Sequence, residues 1–284
     1  ATLDSSDAGN DGEAIGNVTW VGDGKFGGAL LFEGDESWVS VEDDPSLHFT
    51  AGTDFTAAVW LRTEMAGGDP PMILAKNYQP AGVNPWWALY YANQGKALDG
   101  SVSFFLRDAG GASYHIAGGP LVNDGSWHHI TGTREGGTLR FYVDGVEEAS
   151  MEDADFDVGT APVPLHMMSH TNRWLIGSLD EVLLMRRALT ADEIGGLMES
   201  GIELFLRVEA RGKLTKEPAL ALFTPTGLTA SGSTMVEALR SALGEEVVLF
   251  GGTAGDQWKF EKTHQFYGNE VMLDGAPFLL LSTP

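Results

Sequence analysis

Several groups of residues in this chain carry side chains that do chemistry. The opening D-S-S-D-A-G-N-D-G (Asp4 to Gly12) crowds carboxylate, hydroxyl and amide oxygens into a glycine-rich segment. Such a set suits a hard cation such as calcium. It also suits a solvated turn built from Asx-turn formers. Asp180 stands inside the apolar stretch R-W-L-I-G-S-L-D-E-V-L-L-M (Arg173 to Met185), which reads as a central strand. A carboxylate in that setting must be hydrogen-bonded, paired or bound to a metal. The run W-W-A-L-Y-Y (Trp86 to Tyr91) concentrates aromatic rings. With a strand period of two, Trp86, Ala88 and Tyr90 share one face, and Trp87, Leu89 and Tyr91 the other. One face must go to a core. The other either fills a core as well or forms a platform on which sugar rings stack, with Trp86 and Tyr90 as its residues. Trp174, in a loop-like region beside His166 and His170, is a second-choice ligand residue.

The adjacent His128 and His129 invite a metal reading, but on a strand they point to opposite faces and cannot share one ion. One imidazole hydrogen-bonded inside and one outside is the expectation. A phosphate cradle needs a helix N-terminus behind its glycines. Gly251-Gly252 run instead into W-K-F-E-K-T-H-Q-F, which reads as a strand, so nucleotide binding is not expected. No G-x-S-x-G elbow and no H-E-x-x-H helix occur.

These residues must be held by strands. Residues 1–200 give about a dozen short strands separated by turn signals, of which Asp144-Gly145 is a strong hairpin signal. One helix closes the region, opened by T-A-D-E, in which Thr190 caps and Glu193 completes a capping box. That pattern predicts a two-sheet antiparallel sandwich. The 284 residues suffice for one large or two ordinary domains. There are no cysteines, which excludes disulfides and thiolate metal sites. The net charge is −23, and 30 acidic against 10 basic residues fall in 1–200. A field of that sign repels phosphate backbones and anionic lipid, and leaves divalent cations and neutral sugars as better partners. No stretch is long and apolar enough for membrane insertion, and Ala1 does not begin a signal peptide.

Several motifs carry a family resemblance. They are the opening loop (Asp4, Ser6, Gly9, Asn10, Asp11, Gly12), K-F-G-G-A-L-L-F-E-G-D from Lys25, D-F-T-A-A-V-W-L-R from Asp54, W-H-H-I from Trp127 with Y-V-D-G after it, and L-D-E-V with its following helix. Together they resemble the LamG-like jellyroll domains of the concanavalin A-like superfamily, over nearly all of residues 1–200. The resemblance implies glycan binding, a bacterial surface or secreted setting, and a calcium ion between the opening loop and the closing strand. Asp4, Asn10 and Asp180 are then its candidate ligands. It also implies an apolar strand ahead of the opening loop, so either a longer polypeptide supplies it or another strand takes its place. Hydrolases of related sandwiches carry E-x-D-x-x-E along one strand. Here M-E-D-A-D-F-D (Met151 to Asp157) is loop-like and Asp180-Glu181 are adjacent, so neither offers a convergent carboxylate pair.

After Gly201 the character changes. Ile202 to Val208 reads as a strand and 201–217 as a connector. A strand at A-L-A-L-F, a helix over Ser233 to Leu243 and a strand at E-E-V-V-L-F make a βαβ unit with a parallel pair. Hairpin strands follow, with turns at Gly268-Asn269 and Asp274-Gly275. Leu222 to Pro225, Gly251 to Asp256, Phe260 and H-Q-F-Y-G-N-E-V resemble part of the FIST N-terminal domain, a bacterial sensory family usually associated with intracellular signalling.

The sequence therefore predicts a mostly β chain: a jellyroll sandwich over 1–200, then a small α/β unit over 218–284. The expected function is a non-catalytic carbohydrate-binding module with a structural calcium site, fused to a partial sensory domain. Two alternatives stand beside it: a small-ligand sensory protein with the sandwich as accessory, and a polysaccharide hydrolase or lyase.

Overall fold

The structure is a computed structural model and describes residues 4, 8–34, 36–66, 71–76, 85–91, 99–108, 110–152, 162–170, 173–212, 218–223, 248–251, 264–267, 270–273 and 278–282. The chain divides into two compact units, Ala1–Glu199 and Ser200–Pro284.

In the first unit the strands are β1 (Gly12–Ile15), β2 (Val18–Val21), β3 (Ala29–Phe32), β4 (Trp38–Val41), β5 (Phe55–Arg62), β6 (Met72–Lys76), β7 (Trp86–Tyr90) and β8 (Ser103–Arg107). They continue as β9 (Ser113–Ala117), β10 (Trp127–Glu135), β11 (Thr138–Val143), β12 (Val146–Glu152), β13 (Leu165–Met167), β14 (Ser169–His170), β15 (Arg173–Trp174) and β16 (Gly177–Met185). One sheet runs β1-β4-β13-β6-β7-β8-β9 and the other β12-β11-β10-β5-β16-β3-β2, with antiparallel pairs throughout. This is the expected two-sheet sandwich.

Alternation decides what each strand buries. On β7, Trp87 and Leu89 face the core, as do Phe104 and Leu106 on β8 and Val39 and Val41 on β4. The opposite sheet answers with Phe55, Ala57, Val59 and Leu61 of β5, and with Leu179 of β16. Phe49 and Phe55 stack at 4.3 Å, and both lie within 6 Å of the Trp87 ring. Gly132 on β10 lets the sheets close here, because a Cβ on it would stand 2.7 Å from the Phe104 ring.

The helix α1 (Ala191–Gly212) follows β16. Thr190 and Glu193 form the expected capping box: the Thr190 N–H donates to Glu193 Oε2 at 2.8 Å, and the Glu193 N–H to Thr190 Oγ1 at 3.3 Å. Ile194 and Leu197 are buried. Thr56, on the outer face of β5, anchors the approach by donating to Arg187 O and accepting from the Leu189 N–H. The strand expected over Ile202 to Val208 is not found. Those residues are helical, beyond a break at Gly201 with φ 74° and ψ 168°. Ile202, Leu204, Leu206 and Val208 alternate as on a strand, while Ile202 and Phe205 recur at helical spacing, so a run this short satisfies either period. The segment therefore adds no strand to the sandwich, and residues 201–212 are helical.

In the second unit β17 (Pro218–Phe223) lies between β18 (Val248–Gly251), parallel to it, and β21 (Phe278–Ser282), antiparallel. The parallel pair is the one expected from the βαβ reading. β19 (His264–Tyr267) and β20 (Glu270–Leu273) form a hairpin pair. The helix expected over Ser233 to Leu243 lies outside the described residues.

Candidate functional site

Asp180 is buried, at 8% exposure, on the outer face of β16 opposite Trp60. The backbone supplies what its carboxylate needs. Oδ2 accepts the Phe26 N–H at 3.0 Å and Oδ1 the Glu181 N–H at 2.9 Å, and the Lys25 N–H contributes as well. Burial raises its pKa above the ordinary carboxylate value, and these bonds pull it partly back. Glu181 sits at φ 49° in a bulge between Asp180 and Leu183, and this turns its N–H onto the carboxylate. The chain approaches closely at Gly24, where a Cβ would fall 2.7 Å from Asp180 Oδ2. Lys25 Nζ lies 4.1 Å above the Trp60 ring, and Phe26 meets that ring edge-on. Asp180 is thus the anchor that holds the β2–β3 loop over Trp60.

The opening loop closes on different neighbours. Asp4 Oδ2 accepts the Asn10 N–H at 2.8 Å, Asp11 Oδ1 accepts the Asp4 N–H at 2.9 Å, and Asn10 Nδ2 donates to Ser46 Oγ at 3.0 Å. Asp4 and Asn10 are thus bonded to each other, while Asp180 bonds to the β2–β3 loop and to its own bulge; among the described residues no group of three acidic or imidazole side chains is placed to hold a metal. A calcium ion needs converging lone pairs. At Asp180 backbone donors already meet both oxygens.

The two histidines point to opposite faces as expected. His128 lies between Asp144 (2.8 Å) and Asp124 (3.2 Å). Burial opposes its charge, but the two carboxylates outweigh burial and raise its pKa. His129 is buried against Trp60 and Thr131, and burial drives its pKa down to about 4. Asp144 ties the pair together, since its other oxygen accepts the His129 N–H.

The face of β6, β7 and β8 that turns away from the core carries a second apolar cluster: Met72, Ala75, Trp86, Ala88 and Phe105, with Tyr90 against it. Trp86 and Phe105 stack at 4.2 Å and are 7% and 6% exposed. Trp86 is therefore a buried foundation and not an open platform, while Tyr90 stays half-exposed. Trp174 is half-buried on a separate two-strand ribbon, β14–β15, and its buried Nε1 has no acceptor among the described residues.

Polar groups flank this cluster. One cross-strand row runs Ser40, His166, Ala75, Ala88, Phe105, His115. Arg107 stands beside it, opposite Trp86 on one side and Ser113 on the other. His115 and His166 are half-buried, and burial alone lowers both pKa values, so both rings are neutral at pH 7. Arg107 Nε is buried without a partner among the described residues. Arg107 and His115 were not singled out from the sequence; their only signal was a polar side chain at an outward position of an otherwise apolar strand.

The family model described as the concanavalin A-like lectin/glucanases superfamily matches residues 33–195, more than half of the chain. The chain belongs to that superfamily. The model for the FIST N domain matches residues 137–284, again more than half, so the chain belongs to that family as well over this span. The two matches overlap across β11 to β16, which the structure assigns to the sandwich. No curated protein matches the chain. Among solved structures, the binding domain of Paraclostridial Mosquitocidal Protein 1 is similar at 20% identity and TM-score 0.56, over 70% of this chain and 49% of that one. Domain 4 of the Geobacillus stearothermophilus arabinanase AbnA, in complex with arabinotriose, is similar at 22% identity and TM-score 0.51, over 66% and 88%. The botulinum neurotoxin serotype G binding domain gives 16% identity and TM-score 0.55, over 69% and 48%. The chain thus spans about half the length of the toxin domains it matches. Such identities establish the shared fold.

Proposed function

We propose that the sandwich is a non-catalytic carbohydrate-binding module whose ligand lies on the outer face of the β13-β6-β7-β8-β9 strands, with the FIST-like unit as a fused sensory partner. One observation carries this reading. Half-buried polar side chains (Arg107, His115 and His166) flank a stacked aromatic pair on a face the core does not use. From β13 to β9 is four strand spacings, about 19 Å, which matches an extended oligosaccharide of a few units. The similarity in fold to an arabinanase domain that holds arabinotriose supports the same reading. Export from a bacterial cell fits this function.

Tyr90 is the accessible ring, and Trp86 holds it in place. Affinity electrophoresis against arabinan, laminarin, polygalacturonate and alginate tests the proposal. Tyr90→Ala and His166→Ala are expected to lose retardation with their melting temperatures nearly unchanged. Trp86→Ala is expected to unfold earlier, since removing a buried indole costs about 3–5 kcal/mol. Unaltered retardation in the Tyr90 and His166 variants puts the site elsewhere.

The FIST N domain match favours a second reading, in which the second unit binds a small metabolite and the sandwich is accessory. Metabolite-induced thermal shifts, with no retardation by any polysaccharide, are the result that selects it.

A further inference from the structure

Arg107 occupies the last outward position of β8. Its register partners are Trp86 on β7 and Ser113 on the edge strand β9, and two residues along lie Phe105 and its partner His115. The His115 ring is 5.9 Å from that of Phe105. Along this margin the face opens, because Ser113 is exposed and His115 half-exposed, whereas Trp86 and Phe105 are closed. The guanidinium has no hydrogen-bond or ion-pair partner among the described residues, and its Nε is shut away from solvent as well. The nearest acid in sequence does not serve it. Asp108 Oδ1 accepts the Ala112 N–H at 2.8 Å within the β8–β9 turn.

A buried guanidinium donor with no acceptor is costly unless something brings an acceptor to it. An arginine fork fits a planar two-oxygen anion through two parallel N–H···O bonds. We infer that Arg107, with His115 beside it, reads the carboxylate of a uronic acid unit in the bound polysaccharide. This deepens the carbohydrate-binding reading and rests on it. The sugar ring lies toward Phe105 and Tyr90, the carboxylate meets the Arg107 fork, and neutral His115 supplies one further donor or acceptor. The chain's net charge of −23 opposes any anion at long range. The proposed pairing therefore works at contact distance, where the half-buried guanidinium dominates over a diffuse field that salt screens.

The experiment compares polygalacturonate with its fully methyl-esterified form, which keeps the backbone and removes the charge. Calorimetry on the full chain is expected to give at least about tenfold tighter binding to the acid form, the loss typical of one charge-assisted contact. Arg107→Gln is expected to abolish that difference and Arg107→Lys to restore part of it. Both variants should melt like the parent, because the Arg107 guanidinium bonds to none of the described residues. Equal binding of both forms, or of neutral arabinan as tightly, overturns the carboxylate assignment and leaves the carbohydrate reading standing. So does tight binding of a sulfated galactan without carboxylates. Binding of no polysaccharide at all overturns both.

Discussion

Single side chains on the outer faces of this sandwich are set by what packs on them. His129 and Asp180 both stand next to Trp60, and burial pushes both away from charge. Their consequences for stability have opposite signs. The folded His129 titrates at about 4, below the ordinary 6.5. Between those values the unfolded chain takes a proton that the folded chain refuses. Stability therefore falls as the pH drops from 6.5 toward 4 and then levels, with a loss on the order of 3 kcal/mol from this residue. His115 and His166 add to the same slope. Asp180, whose pKa is raised, returns some stability as the pH falls through its folded value. Urea unfolding at pH 7, 5.5 and 4 is expected to show the decline in the parent and a flatter profile in His129→Gln. Identical profiles would mean that His129 is not buried in the neutral form.

At the scale of elements, the β2–β3 loop and the bulge of β16 make one device. Asp180 takes backbone donors from both, on both carboxylate oxygens. Asp180→Asn keeps the shape but turns an NH₂ toward one set of N–H groups. A loss of about 1–3 kcal/mol is expected, together with faster hydrogen exchange at Lys25 and Phe26. Calcium is not expected to shift the parent's melting temperature through this residue. A calcium-dependent rise that Asp180→Asn abolishes would place a metal site at β16. In the opening loop Asn10 bonds to Asp4 and to Ser46.

At the scale of the whole molecule, charge and composition act together. The −23 net charge is concentrated in the first 200 residues, so an anionic polymer must be bound against the protein's own field. Raising monovalent salt from about 10 to about 150 mM shortens the screening length from roughly 30 to 8 Å. Binding of polygalacturonate is therefore expected to tighten over that range and to weaken only at higher salt, whereas binding of a neutral polymer should stay flat. A monotonic loss of acid-polymer affinity with salt would contradict that balance. The break at Gly201 falls at the border of the two compact units, Ala1–Glu199 and Ser200–Pro284.

Alternation along V-S-V and W-W-A-L-Y-Y sufficed to sort side chains into two faces, because period two follows from strand geometry alone. The capping box at Thr190 and the Asp144-Gly145 turn were legible for the same reason: each is settled within four residues. Ile202 to Val208 misled because seven mostly apolar residues satisfy either period. What neutralises Asp180 could not be read, since its partner Phe26 lies 154 residues away in the chain. Nor could local sequence tell that Trp86 would be closed over Phe105 while Arg107 and His115 stayed at an open margin. Local patterning determined the two sheets and which side chains turn outward. Only the tertiary packing decided which of those outward groups remain available to a ligand, because exposure depends on neighbours brought in from distant strands.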